Sequence, residues 1–414
     1  MSLPTSKMRE FCEITSSKRI FASEYVKSGV PFYRSKEIIE RQAGKADVST
    51  EIFISEARFE EIKSKFGAPQ RGDLLLTSVG TLGIPYVVKE DERFYFKDGN
   101  LTWFRKFQRL NSHYLYYWLL SPQGKAELKK ATIGSSQSAY TINLLGELSI
   151  TPPNFDQQLQ VVDCLSAYDS LIATNQRRIT LLEDAARRIY REWFVHLRFP
   201  GHEAVPMVDG VPQGWEQTPL VEQTVFLNRG VTPTYDEAAP GWVINQKCIR
   251  DGRLSMAAAR HQSKPVKLER LVQVGDVLIN STGAGTLGRV AQVRAPVENC
   301  TVDTHVTIAR PLDADSATYF GQAVLSLEPV LSEMGKGSTN QLELSRADIG
   351  AMPIWMLPKS LRQDFHRLVN PMLEQAQQLV ATNEALAKAR DLLLPKLMSG
   401  QIDVSGIVLP EEFL

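Results

Sequence analysis

A few stretches of this chain carry side chains in patterns that could do chemistry. Thr151-Pro152-Pro153-Asn154-Phe155 comes near the Asn/Asp-Pro-Pro-aromatic motif of amino-methyltransferases. It lacks the leading acid or amide, and Asn154 separates the prolines from the aromatic. A strand-to-helix junction, stopping one element and starting another, accounts for it better. Ser78-Val79-Gly80-Thr81-Leu82-Gly83 has the glycine density of a nucleotide loop, but Ile84-Pro85-Tyr86-Val87-Val88 follows it as a further strand. A dinucleotide fold needs a helix N-terminus there to hold phosphate. The spacing predicts a tight hairpin whose glycines supply positive φ. Two polar, Gly-bounded loops remain: Gly134-Ser135-Ser136-Gln137-Ser138-Ala139-Tyr140 and Gly335-Lys336-Gly337-Ser338-Thr339-Asn340-Gln341. Gln and Asn amides suit adenine edges, and small hydroxyls fit phosphates. The same polarity also suits a plain surface loop. Walker A, HExxH and GxSxG sequences are absent, and the six histidines do not cluster at ligand spacing. The sequence therefore predicts neither a catalytic nor a metal site.

The elements that must position these loops are duplicated. Gly72-Asp73-Leu74-Leu75-Leu76-Thr77-Ser78-Val79-Gly80-Thr81-Leu82-Gly83 recurs as Gly275-Asp276-Val277-Leu278-Ile279-Asn280-Ser281-Thr282-Gly283-Ala284-Gly285-Thr286-Leu287-Gly288. Thr81, Asp98 and Thr102 match Thr286, Asp303 and Thr307 at one constant offset. Lys36 and Ile38 match Lys247 and Ile249 at a slightly larger one. Agreement in order along a whole domain marks an internal repeat. Short apolar runs with β character, such as Val30-Pro31-Phe32-Tyr33 and Trp242-Val243-Ile244, and a helix over 112–120 predict two α+β globules.

A helical stretch follows each globule. In the first, about 155–195, Leu165, Tyr168, Ile172, Asn175, Ile179, Leu182, Ala186, Ile189 and Trp193 step by three and four alternately. That is a sustained heptad seam. Some forty helical residues would extend about 60 Å at about 1.5 Å per residue. In the second, about 360–394, Leu373, Ala376, Val380, Asn383, Ala387 and Leu394 hold the equivalent positions. Arg390 stands where Leu182 did, and Pro395 ends the helix or lies in its last turn. Two seams after two related globules predict antiparallel helices about a pseudo-twofold axis, with Asn175 and Asn383 either fixing register or lying at a solvated edge. Arg177, Arg178, Arg187, Arg188 and Arg191 form a basic face, read as a docking surface or as a solvated face partnered by Glu183, Asp184 and Glu192. The predicted boundaries are 1–153 and 201–357 for the globules, 154–200 and 358–398 for the helices, and 399–414 for a tail.

Composition narrows the class. The 414 residues allow two or more domains with real cores, and 43% hydrophobic content is ordinary for a globular chain. Basic and acidic residues balance at 47 each, which argues against binding nucleic acid by bulk charge alone. Four dispersed cysteines, no signal-peptide pattern and no long apolar run predict a cytoplasmic protein without disulfides or zinc.

The chain resembles the specificity subunit of type I restriction–modification systems over nearly its whole length. The resemblance rests on Gly29-Val30-Pro31-Phe32-Tyr33-Arg34-Ser35-Lys36-Glu37-Ile38, on Gly230-Val231-Thr232-Pro233-Thr234-Tyr235, and on Val243-Ile244-Asn245-Gln246-Lys247-Cys248-Ile249-Arg250-Asp251-Gly252. The paired GTLG motifs and Leu392-Leu393-Leu394-Pro395-Lys396-Leu397-Met398-Ser399-Gly400 add to it. Val211-Pro212-Gln213-Gly214-Trp215-Glu216 looks like the family's usual start of a target-recognition domain; the first half lacks a matching Pro-x-Gly-Trp.

The resemblance implies a non-catalytic chain whose two target-recognition domains each read half of a bipartite, asymmetric double-stranded DNA sequence. The helices would fix the unread spacer and bind two modification subunits. Those partners would carry S-adenosylmethionine and methylate adenine; restriction subunits would bring ATP and Mg. Arg34, Lys36, Ser136, Gln137 and Tyr140 are expected to face DNA from the first domain, and Gln246, Lys247, Lys336, Ser338, Thr339, Asn340 and Gln341 from the second. Basic members would neutralise phosphates, and amides and hydroxyls would read base edges. The alternatives are a coiled-coil adaptor whose globules bind proteins, a chain with its own methyltransferase or nuclease activity, or the specificity subunit of a methyltransferase-only or type IIB-like system.

Overall fold

The computed structural model describes residues 5–44, 48, 50–134, 138–335, 343–402 and 404. They fall into two compact units. The first comprises Met1–Thr174 with Asn383–Leu414, the second Asn175–Thr382.

The first unit is organised by a fully buried run, Leu74–Thr77. A strand rich in Leu with no polar alternation must be covered on both faces. Here β1 (Glu13–Thr15), β2 (Leu74–Thr77), β3 (Pro85–Val87) and β4 (Leu101–Arg105) form an antiparallel sheet in the order β1-β4-β2-β3. Successive side chains point to opposite faces. Leu74 and Leu76 accordingly join one core with Tyr114, Leu115 and Trp118, while Leu75 joins another with Trp103 and Phe96. Helix α1 (Ser112–Leu120) supplies the first cover, and Asn111 Oδ1 caps it by accepting from the amides of His113 and Tyr114.

The core of the first unit does not stop at the globule. Val161 and Leu165, from the long helix α2 (Phe155–Tyr190), belong to it, as do Leu394 and Leu397. Each fully buried side chain of this kind contributes about 1.5–3 kcal/mol. Helix α2 ends in a π turn, Arg191–Val195, within the second unit.

The second unit repeats the sheet. Strands β5 (Thr224–Arg229), β6 (Val277–Asn280), β7 (Val290–Gln292) and β8 (Val306–Pro311) are antiparallel in the order β5-β8-β6-β7, the same topology. Beside it Gly241–Ile244 runs parallel to Cys300–Val302, as Val30–Tyr33 runs parallel to Tyr95–Phe96 in the first unit. Helix α3 (Ala317–Ser326) takes the place of α1. The cover continues into helix α4 (Lys359–Met398): Phe365, Val369 and Leu373 share a core with Val277, Ile279 and Tyr190.

Within the first unit the two long helices run antiparallel, and within the second they pack together. In the first, Asn383 Nδ2 donates to the Ile172 carbonyl at 3.2 Å and Arg390 Nη1 to Asp169 Oδ1 at 2.5 Å. Residue numbers rise along one helix as they fall along the other. In the second, Phe365 meets Tyr190 and Trp193 edge to face, at 6.3 and 5.6 Å between centroids. Along the expected seam, Leu165, Asn175 and Ile179 are buried; Tyr168, Ile172, Leu182, Val380, Asn383 and Ala387 are half-buried. Pro395 lies in the last turn of α4, and Pro371 lies inside the helix. Pro371 offers no amide to the Arg367 carbonyl; burial of Phe365, Val369 and Leu373 outweighs that loss. No helix among the described residues is long and apolar enough to cross a membrane.

Arg390 breaks the apolar seam for a reason visible in the first unit. Asp169 accepts from it and, through its other oxygen, from Tyr117 OH at 2.6 Å. Burial, with the Asp169 charge close by, pushes the Tyr117 phenol far above its usual range. One carboxylate therefore ties α1 and both long helices together. Replacing Asp169 by Leu should lower the unfolding free energy by about 1.5–3 kcal/mol, since it leaves the Tyr117 phenol without its acceptor and Arg390 with Asp391 alone. The double change Asp169→Leu with Arg390→Leu should cost less than the two single losses summed. Additive losses in equilibrium unfolding would show that the tie is not a unit.

Candidate nucleic-acid interface

The Gly-rich repeats are the turns of the β2–β3 and β6–β7 hairpins. In each, the loop is longer than a two-residue turn, running over 78–84 and 281–289. Ser78 Oγ lies 2.7 Å from Thr102 Oγ1, and Ser281 Oγ lies 2.5 Å from Thr307 Oγ1, all four buried. The Ser78 amide donates to the Asn100 carbonyl at 2.8 Å; the Ser281 amide donates to the His305 carbonyl at 2.8 Å. Gly83 N–H bonds the Thr77 carbonyl, and Gly288 N–H bonds the Asn280 carbonyl. Positive φ at Gly80, Gly83, Gly283, Gly285 and Gly288 makes the turns possible.

Each turn gathers the expected contact residues at one end of its sheet. In the first unit the Tyr140 amide donates to the Ser78 carbonyl at 3.1 Å, and Val79 bridges Ala139. Ser35 Oγ donates to the Asn100 carbonyl at 3.4 Å, which brings in the helix carrying Lys36. Lys36 is exposed and Tyr140 half-buried. Arg34 is committed elsewhere: Nη2 donates to Glu37 Oε1 at 2.8 Å, and Glu37 is fully buried. Its first task is to neutralise that carboxylate. Ser136 and Gln137 lie outside the described residues.

In the second unit the Leu344 amide donates to the Ser281 carbonyl at 2.8 Å, and Thr282 bridges Glu343. Asn280 Nδ2 donates to the Gln246 carbonyl at 3.0 Å, and Thr286 Oγ1 to Gln246 Oε1 at 3.1 Å. Among the described residues, Gln246 Nε2 has no acceptor. Lys247 is exposed beside it. Lys336, Ser338, Thr339, Asn340 and Gln341 lie outside the described residues; Glu343, just after them, sits at the turn.

Sequence reasoning missed several residues here. His305 is exposed, with Nδ1 2.6 Å from Thr282 Oγ1. Arg229 ion-pairs with Glu343 at 2.6 Å and donates to the Leu344 carbonyl. Burial pushes the Asp303 carboxyl up, and it accepts the His305 amide at 2.9 Å. A signal existed: the offset that pairs Asp98 with Asp303 and Thr102 with Thr307 also pairs Asn100 with His305.

The arginine face of α2 divides. Arg187 pairs with Asp184 at 2.5 Å, Glu183 with Arg253 and Glu192 with Arg198. Among the described residues Arg177, Arg178, Arg188 and Arg191 have no carboxylate partner, and all are exposed. No cluster of His, Cys, Asp and Glu among the described residues could hold a metal.

A duplicated α+β unit, with a polar surface gathered at a Gly turn and long antiparallel helices, defines the class. The type I restriction modification DNA specificity domain family matches residues 4–184. The chain is 24% identical over 352 residues to the type I restriction enzyme MjaIX specificity subunit of Methanocaldococcus jannaschii, covering 81% of this chain and 79% of that one. It is 22% identical over 403 residues to the putative MjaX specificity subunit of the same organism, covering 91% and 88%. The crystal structure of a type I restriction–modification S subunit from M. genitalium superposes with a TM-score of 0.59 at 15% identity, over 95% of each chain. At that identity the likeness is one of fold. Over most of its length the chain is thus similar to specificity subunits of type I restriction–modification systems, and its first half carries the match to their DNA specificity domain.

The second turn is the tighter. A Cβ on Gly288 would press on backbone atoms of Leu331 and Ser332, at a φ of 76°. Gly288→Ala should destabilise the second unit by at least about 1–3 kcal/mol, read as a lower melting temperature. Gly285→Ala meets open space and should cost less; equal losses would remove the packing argument.

Proposed function

We propose that this chain reads DNA sequence for a type I restriction–modification complex, each globule contacting one half of a bipartite, asymmetric target. The observation that carries this is the pair of turns: the same backbone hydrogen bonds recur in both units while the side chains around them differ. A shared scaffold with divergent donors and acceptors is what recognition of two different half-sites requires. Lys36 and Lys247 neutralise phosphates. Gln246, with a free Nε2 and its Oε1 steadied by Thr286, reads a base edge. Tyr140 stands at the turn of the first unit and His305 at that of the second. Ser136, Gln137, Lys336, Ser338, Thr339, Asn340 and Gln341 complete the reading loops in this proposal.

The chain itself is non-catalytic. Two modification subunits dock on the helices and bring S-adenosylmethionine for adenine methylation; restriction subunits bring ATP and Mg. The helices set the unread gap between half-sites. One DNA turn is about 34 Å, within the reach of helices of this length.

Sequencing methylated DNA from a host carrying this chain and its partners tests the reading. Gln246→Ala should relax one base of one half-site, at a cost of about 1–3 kcal/mol in discrimination, and leave the other half unchanged. An unaltered motif would remove Gln246 from the interface. Matched insertions of one helical turn, near 173–176 and in the facing part of α4, should lengthen the unread gap and preserve both half-sites. A constant gap would exclude the helices as its determinant.

A further inference from the structure

The second unit holds an arginine, Arg294, whose guanidinium makes no hydrogen bond or ion pair among the described residues. A cleft of about 480 Å³ opens between its sheet and helix α4, with Arg294, Gln292, Thr318, His366 and Asn370 among its walls. Most of its polar groups are satisfied. Thr318 Oγ1 lies 2.8 Å from His366 Nδ1, Asn370 Nδ2 donates to Glu374 at 2.7 Å, and neighbouring Arg310 is spent on Asp276 at 2.7 Å. Gln292 Oε1, buried without a hydrogen-bond partner, is one exception, and Arg294 is another. Among the described residues nothing accepts a hydrogen bond from its guanidinium, and burial pushes its pKa down to about 10. Glu183, the acid that pulls the other way, is itself held by Arg253 at 2.8 and 2.6 Å. A partly desolvated, unpaired guanidinium is costly to keep.

The rim of the cleft is apolar. Val225, Val274 and Leu312 line it and are 60%, 58% and 47% exposed. Exposed apolar side chains around an unmet charge have the anatomy of an interface hot spot, in which a dry ring shields a charged anchor. Among the described residues the first unit lacks this arrangement. The Gly275 amide bonds the Val293 carbonyl as the Gly72 amide bonds that of Val88, so Arg294 corresponds to Lys89 and Val274 to Arg71. Lys89 is exposed, and Arg71 pairs with Glu90 at 3.0 Å.

We propose that this cleft is a socket for a partner protein, accepting the carboxylate of an Asp or Glu flanked by apolar side chains. A carboxylate matches the guanidinium fork with two parallel hydrogen bonds. Apolar flanks cover Val225, Val274 and Leu312 and exclude water from the pair. The socket rests on the function proposed above, with the modification subunit as partner. Because only one unit has it, the two halves of the chain engage that partner by different contacts.

The test is the affinity of the full-length chain for its purified modification subunit. Arg294→Leu should weaken binding at least about tenfold, with an unchanged or higher melting temperature. Val274→Asp should also weaken it, by supplying an internal carboxylate that closes the socket. Lys89→Leu, in the first unit, should bind as wild type. If Arg294→Leu misfolds, Arg294→Lys replaces it: the point charge loses the fork and should still weaken binding. Wild-type affinity in a folded Arg294 variant overturns the socket and leaves the DNA reading standing. Failure of the wild-type chain to bind the modification subunit overturns both. Inorganic phosphate that raises the melting temperature of wild type but not of Arg294→Leu, with partner affinity unchanged between them, assigns the cleft to a small anion and overturns docking.

Discussion

Neither globule can cover its own sheet. Val277 and Ile279 in one unit, and Leu74 and Leu76 in the other, present an apolar face that local helices cover only in part. The long helices supply the rest, and their own seams are buried in the same act. Everything else follows from this shared burial. Because the core is continuous from strand to helix, a globule cannot shift on its helices without opening apolar surface. Polar ties then choose among orientations that burial alone would allow. Asp169, between Tyr117 and Arg390, does this in the first unit; Glu183, holding Arg253, does it in the second.

The duplication has been kept at the level of the backbone and relaxed at the level of side chains. Ser78 and Ser281 make the same bonds to matching partners, and the amides of Gly83 and Gly288 close the same turns. Around them the chemistry parts company. Asp73 accepts from the Trp103 indole at 2.8 Å, while Asp276 takes two bonds from Arg310. Asn100 in one unit is His305 in the other. A scaffold whose hydrogen bonds are satisfied internally leaves the outward side chains free to vary without loss of fold.

Much of this was legible in the sequence because it is periodic. The repeat around Gly72 and Gly275, the hairpins, the helix over 112–120 and the heptad seams are regularities of spacing, and the structure has each of them. What was not legible depends on partners far along the chain. Arg34 resembles a free phosphate contact until Glu37 is seen buried beneath it. The helix through Pro371 was expected, but not the burial of Phe365 and Leu373 on either side of it in a core no local rule reveals. Arg294 carries no signal at all, since its lack of an ion-pair partner among the described residues is a property of the fold.

The composition of the two units also orders events in time. Residues 175–382 of the second are contiguous in sequence. Its core can therefore close as soon as they have left the ribosome. The first unit joins Met8 near the start of the chain to Leu394 and Leu397 near its end. Its core cannot be completed until Leu397 has been synthesised. Chains usually fold in the order in which they emerge; this one must finish its first half last, with an unfinished apolar face awaiting a distant helix.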